Sequence, residues 1–209
     1  MSLFLTALKK LLSFCDDPPL RTETGKVIGI CVGHSRGNDR GAVNTDGMNE
    51  HKFNRMVGLV AAAKLKKYGH VVHFYDHYEG NSYGAAMSWL AADLKQKAVD
   101  VAIELHFNSS SSRKAEGHEW LYWKTSKKSQ KLAEVFRKDF AFVYPDRKDR
   151  GIKPKDESSR GAAFLSKTHC PSIICEPFFG SNPEETAFFS SKVNELGLLY
   201  AAAIHKFLQ

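Results

Sequence analysis

The sequence predicts an α/β fold: a single domain on a mostly parallel, twisted central sheet of about six strands, flanked by helices, with its site at the strands' C-terminal edge. Three observations carry this. Val27-Ile28-Gly29-Ile30-Cys31-Val32 is apolar almost throughout instead of alternating, as expected of a strand covered on both faces, and it stops at Gly33-His34. Two later runs end the same way: Val99 to Leu105 leads into His106, and Ser172 to Cys175 into Glu176. Helical periodicity fills the intervals, giving β-α-β-α order. Ligands of open α/β sheets bind beyond the carboxyl ends of the strands, so His34, His106 and Glu176 converge on one site with the pattern of a catalytic metal centre.

Length and composition agree with one domain. The 209 residues, 43% hydrophobic and 25% charged, suffice to bury a core without staples. No stretch approaches the ~18 consecutive apolar residues of a transmembrane helix, so a soluble protein is expected. Four cysteines, irregularly spaced, exclude a disulfide scaffold or paired zinc ribbon; Cys31 and Cys175 read as reduced thiols buried in strands. The charge is uneven. Between Lys124 and Lys155, eleven Lys or Arg face four Asp or Glu, so this segment carries a net +7, equal to the formal charge of the whole chain. Such a surface suits an anionic partner, although a solvated face of mixed charge explains it equally well.

In chain order, residues 1–25 form an arm set apart from a domain at 26–209. Phe4, Leu8, Leu11 and Cys15 fall at helical spacing, and Asp16-Asp17-Pro18-Pro19 ends that amphipathic helix. Thr6, Lys9 and Lys10 interrupt the apolar stretch, so no secretory signal is read. After His34 a polar, glycine-punctuated loop runs to Gly47. A helix follows with Asn49 as N-cap and Glu50 as its first residue; Phe53, Met56, Val57, Val60 and Ala61 give its apolar face, and Gly69 ends it. A right-handed crossover starts this helix on the same side as His34, although an acid in the first turn also complements the helix dipole. Val71 to Tyr75 reads as a strand, Ala86 to Leu94 as a helix, Glu119 to Trp123 as a strand and Ser129 to Phe140 as a helix. Tyr144 to Arg160 reads as a long loop, Ala162 to Leu165 as a short strand, and Glu195 to Phe207 as the closing helix.

Set together, Gly33-His34 with Asp39, Gly41-Ala42 and Glu50, then Leu105-His106-Phe107-Asn108, then Cys175-Glu176-Pro177-Phe178-Phe179-Gly180-Ser181-Asn182, resemble the zinc-dependent N-acetylmuramoyl-L-alanine amidases. The blocks occur in the right order from about Lys26 to the C-terminus; each alone is weak and the set is specific. The resemblance implies one zinc per chain, held by His34, Glu50 and His106, with Glu176 catalytic. It also implies a peptidoglycan substrate cut between the lactyl group of N-acetylmuramic acid and L-alanine. Arg36, Asn108 and Asn182 are candidate substrate-binding residues. The chain departs from the family's pattern at Ser35-Arg36, at Glu104 in place of a common serine, and after Phe74, where a usual threonine-arginine is missing. A compact chain with neither a wall-binding module nor a signal peptide looks like a phage-type endolysin, made in the cytoplasm and acting on the wall after release.

The residue types suit that chemistry. Zinc accepts imidazole nitrogen and carboxylate oxygen, and three protein ligands leave a position open for water or substrate. On strand geometry alone Glu176 could be the third ligand; the resemblance gives that place to Glu50. Two other readings stand beside this one: a zinc hydrolase of another amide or peptide, and an inactive wall-binding module or basic nucleic-acid-binding domain. The last has no use for the His/Glu/His set, and no stripe of basic and aromatic residues marks a nucleic-acid partner. Among the remaining histidines, His70 and His73 sit on opposite faces of a strand, His51 and His205 belong to helices, and His77, His118 and His169 read as solvent-exposed loop residues or as lining the mouth of the site.

Overall fold

The computed structural model describes residues 25–159 and 161–209, together with Thr6 and Lys10, which are helical and exposed. The apolar stripe expected at Phe4, Leu8, Leu11 and Cys15 lies outside the described residues. Six strands form one sheet: β1 (Val27–Val32), β2 (Val71–Tyr75), β3 (Val101–Leu105), β4 (His118–Trp123), β5 (Asp149–Lys155) and β6 (Ser172–Glu176), in the order β2-β1-β3-β6-β4-β5. β2, β1, β3 and β6 pair in parallel, and β4 runs antiparallel to β6.

The strands predicted from unbroken apolar runs are covered on both sides. Ile28, Ile30, Val101, Ile103, Leu105, Ile173 and Cys175 pack into the core under α1 (Glu50–Lys67), α3 (Lys127–Val143) and α6 (Val193–Leu208). Cys31, Ala102, Leu121 and Ile174 face α2 (Tyr83–Gln96) and α4 (Ala163–Lys167) on the other side. Cys31 and Cys175 are free, buried thiols, as expected. Chain order and sheet order part between β1 and β3, because β2 lies on one side of β1 and β3 on the other. Loops from the carboxyl ends of β1 and β3 therefore diverge and leave a crevice, and these are the loops that carry His34 and His106.

The first crossover helix forms where its caps dictate. The Asn49 side chain accepts the Lys52 N–H at 2.9 Å, and Glu50 is the first helical residue. At the other end Gly69, at φ 86°, lets its own N–H reach Lys66 O while the His70 N–H reaches Leu65 O, the paired bonds of a Schellman stop.

Three expectations need correction. Residues 144–160 are not all loop: β5 occupies Asp149–Lys155 and pairs in parallel with β4 at the sheet edge. Its charges and Pro154 hide it from a pattern search, and the same features keep an edge strand from recruiting another chain. Ala162 to Leu165 is not a strand. The run enters helix α4, with Phe164 and Leu165 buried, and a four-residue apolar run carries no period to tell the two apart. A further helix, α5 (Pro183–Phe189), follows β6 where no helix is expected, with Asn182 as N-cap and Pro183 in the first turn.

Candidate metal centre

The candidate residues meet at the crevice. His34 follows β1 with a left-handed backbone (φ 59°), a conformation that costs a non-glycine residue on the order of 1–3 kcal/mol and that turns the ring inward. Its Nε2 lies 3.3 Å from Glu50 Oε2. His106, just past β3, brings Nδ1 to 2.9 Å from Glu50 Oε1. The two rings stand edge to face with centroids 5.1 Å apart. One ligand atom from each of His34, Glu50 and His106 falls within 4.8 Å of the others, and no other group of three such residues is found among the described residues.

Two glycines make the room. A Cβ on Gly33 would run into the His106 ring, and one on Gly41 would meet His34 Cδ2 and Glu50 Oε2 at 2.6 and 2.7 Å. Gly41 also has φ 70°, which L side chains rarely adopt.

Glu50 is 4% exposed, and its oxygens accept the backbone N–H groups of Ala42 and Phe107, each at 3.2 Å. Burial by itself raises its pKa, but the contacts to His106 and His34 outweigh burial and hold the carboxyl down at about 2. The histidines respond in kind. Burial lowers each, the facing carboxylates more than offset it, and both end above the ordinary imidazole value, His106 well above it.

Glu176, the last residue of β6, lines the same cavity of about 560 Å³ as His34, Glu104 and His106. Its Oε2 is buried without a hydrogen-bond partner. Burial, with Glu50, Glu119 and Glu104 nearby, pushes its carboxyl up to about 8 against the opposing pull of His106. A carboxyl group lining the cavity and raised toward neutral pH can both take up and hand over a proton.

The substrate candidates divide. Arg36 lines the cavity, half-buried, and is in no ion pair among the described residues. Asn108 also lines it, with Nδ2 donating to Glu119 Oε1 at 3.0 Å, while Arg150 Nε donates to Glu119 Oε2 at 2.6 Å. Asn182 is not among the residues that line the cavity: its Oδ1 accepts from Glu184 N–H and Glu185 N–H, capping α5, and its Nδ2 donates to Ala115 O. His118 is fully buried, not exposed or at the site mouth; its Nδ1 accepts the Trp120 indole N–H at 3.0 Å. His77 and His169 are exposed, and His70 turns to His205 at 2.9 Å.

Residues 28–206 match the family model described as N-acetylmuramoyl-L-alanine amidase. The chain belongs to the N-acetylmuramoyl-L-alanine amidase family. As a member, it is an amidase of peptidoglycan, and its fold is shared by solved amidase domains. The catalytic domain of the CwlV amidase from Bacillus (Paenibacillus) polymyxa var. colistinus is 24% identical with a TM-score of 0.72, over 88% of this amidase and 98% of that chain. An N-acetylmuramoyl-L-alanine amidase of Nostoc punctiforme is 23% identical with a TM-score of 0.74, over 89% and 99%. The catalytic domain of an endolysin targeting Clostridia difficile is 24% identical with a TM-score of 0.71, over 86% and 97%. No match is found among curated proteins. Among the described residues of the amidase, no helix is long and apolar enough to cross a membrane.

Proposed function

We propose that this amidase is a zinc hydrolase of the bond between the lactyl group of N-acetylmuramic acid and L-alanine, with His34, Glu50 and His106 holding one zinc and Glu176 moving the proton. The observation that carries the reading is the ligand set itself: two imidazole nitrogens and one carboxylate oxygen within 4.8 Å of one another, a donor set suited to zinc with one coordination position left over. When bound there, zinc polarises the scissile carbonyl and lowers the pKa of bound water to ~7.

The remaining work belongs to the chain. Glu50 is held by two backbone N–H groups, so its carboxylate is presented without a search for rotamers. Glu176, its Oε2 free, takes the proton of the attacking water and gives it to the departing amine of L-alanine. Arg36 offers an unpaired guanidinium at the cavity to a stem-peptide carboxylate, to which a planar fork binds in two places. Asn108, which lines the same cavity with its Nδ2 tied to Glu119, contacts the substrate there. On this reading the catalytic domain spans residues 26–209. The role is wall lysis of the endolysin type after release from the cytoplasm, a reading supported by likeness to the endolysin domain.

A digest of purified sacculi, analysed by mass spectrometry alongside the metal content of the enzyme, tests the proposal. Free muramic lactyl groups with intact stem peptides starting at L-alanine, from protein holding one zinc per chain, are expected. Products cut within the stem peptide or the glycan strand, or full turnover from zinc-stripped protein, refute it.

A further inference from the structure

Glu104 is a buried acid that the mechanism above does not use. It sits in β3 with Val101, Ala102, Ile103 and Leu105, all fully buried, and is itself only 4% exposed. An acid in such a strand is costly unless its oxygens are engaged. One of them is: Glu104 Oε1 accepts the Tyr78 O–H at 3.3 Å. The Tyr78 side chain is buried, and its backbone is pinned by an N–H donated to Ser35 O and by a bridge to Arg36, so the hydroxyl is a fixed tether. The other, Oε2, lies 3.3 Å from His106 Nε2.

His106 therefore stands between two carboxylates, with Nδ1 facing Glu50 and Nε2 facing Glu104. His34 repeats the arrangement with its nitrogens exchanged: Nε2 faces Glu50, and Nδ1 lies 3.0 Å from Asp39 Oδ1. Each ring turns one nitrogen inward to the shared carboxylate and the other outward to a private one. A neutral imidazole has a single N–H, and the acceptor that takes it decides which nitrogen keeps its lone pair. Histidines that bind metals commonly give the second N–H to a carboxylate, which fixes ring and tautomer.

We propose that Glu104 is a positioning residue for His106: it accepts the Nε2 proton, leaves the Nδ1 lone pair directed to the side of Glu50, and is itself held by Tyr78. Asp39 does the same for His34. This rests on the reading that His34, Glu50 and His106 hold zinc. Glu104 lies outside the group of ligand atoms that fall within reach of one another, so it acts through His106 and not on the metal.

The test uses the full chain loaded with zinc. Affinity is measured by competition with a chelator, and the imidazole N–H protons of His106 and His34 are followed by NMR in protein labelled with ¹⁵N at histidine. Glu104→Ala is expected to weaken zinc binding by ~10–100-fold and to abolish the downfield, slowly exchanging Nε2 proton of His106, leaving the Nδ1 proton of His34 in place. Glu104→Gln keeps the shape and an acceptor oxygen, so it should fold as the parent does, lose less affinity and shift the same resonance upfield. Tyr78→Phe, which loosens the tether, should change the His106 resonance in the same direction. A parent that holds zinc and cleaves sacculi, with Glu104→Gln and Glu104→Ala unchanged in both affinity and resonance, overturns this inference alone. A parent that holds no zinc overturns the inference together with the reading beneath it.

Discussion

Replacing Glu50 with alanine and Glu176 with glutamine, in separate proteins, separates ligand from proton carrier. Glu50 accepts two backbone N–H groups and contacts both histidines, so Glu50→Ala orphans buried donors at ~1–3 kcal/mol each. A carboxyl held at about 2 in the fold, against 4.5 as the reference, gives about 3 kcal/mol for its contacts with His106 and His34 net of burial. Because the folded value is depressed, that stability is present above pH 4.5 and is lost as pH falls toward 2. At neutral pH, zinc-stripped Glu50→Ala should therefore be about 3 kcal/mol less stable than the stripped parent, and it should fail to retain zinc, since two protein ligands hold the ion poorly. Glu176→Gln behaves otherwise. Its Oε2 has no hydrogen bond to lose, so the stripped variant should be at least as stable as the parent, should keep its zinc, and should lose ~10²–10⁴ in turnover. Metal analysis, urea melts of the stripped proteins and sacculus turnover read all three quantities. Zinc lost from Glu176→Gln and kept by Glu50→Ala would reverse the roles, and undiminished turnover in Glu176→Gln would sink the mechanism.

Other outcomes follow from the same structure. Gly33→Ala places a methyl group in the His106 ring, so it should lower zinc affinity at least tenfold, about 1.4 kcal/mol, and unchanged affinity counts against the packing described. His118 is kept neutral to about pH 4 chiefly by burial, with Arg137 adding to this and Asp149 opposing, whereas its reference value is 6.5. The unfolded chain then takes the proton first, so stability is full above pH 6.5 and falls by about 3 kcal/mol toward pH 4. Urea midpoints of parent and His118→Gln across that range should diverge, with the variant flatter; parallel curves refute the assignment. Lys127, Lys128, Lys131 and Lys138 are exposed on α3 and in no ion pair among the described residues, whereas Lys148, Arg150 and Arg137 are paired with Glu116, Glu119 and Asp149. Changing the four lysines to glutamine should weaken sacculus binding at low salt and spare cleavage of a soluble muropeptide. Binding indifferent to both salt and substitution marks the face as merely solvated.

The sequence reveals most where one cause acts alone. β1, β3 and β6 are buried on both faces, so their apolar runs announce them, and the breaks at His34, His106 and Glu176 mark where burial ends and the cavity begins. The N-cap and crossover put Glu50 on the side of His34, but an acid in a first turn also complements the helix dipole, and it is the family resemblance that gives Glu50 a ligand's place. β5 is hidden because an edge strand buries little, and α4 because four residues show no period. Asn182 precedes Pro183, and that pair signals a cap more strongly than a substrate contact. His118 and Glu104 could not be assigned from spacing, since each is fixed in part by a residue from a distant segment: Phe140 against the one, Tyr78 against the other.

The divergence of the chain between β1 and β3 also bears on how the enzyme comes into being. Positions 34, 50, 106 and 176 lie on four stretches that meet only once β1, β3 and β6 are side by side. A nascent or clipped chain ending before β6 lacks both the strand that pairs with β3 and residue 176, so on the proposed reading it has no proton carrier and cannot cut the wall. On the reading that the site holds zinc, the ion bound by the finished sheet would stabilise it by RT ln(1 + [Zn]/Kd), about 4 kcal/mol at a thousandfold excess over Kd. The ion thereby rewards completion of the sheet, and a lysate under zinc limitation should contain a larger fraction of protease-sensitive chain than one replete with zinc.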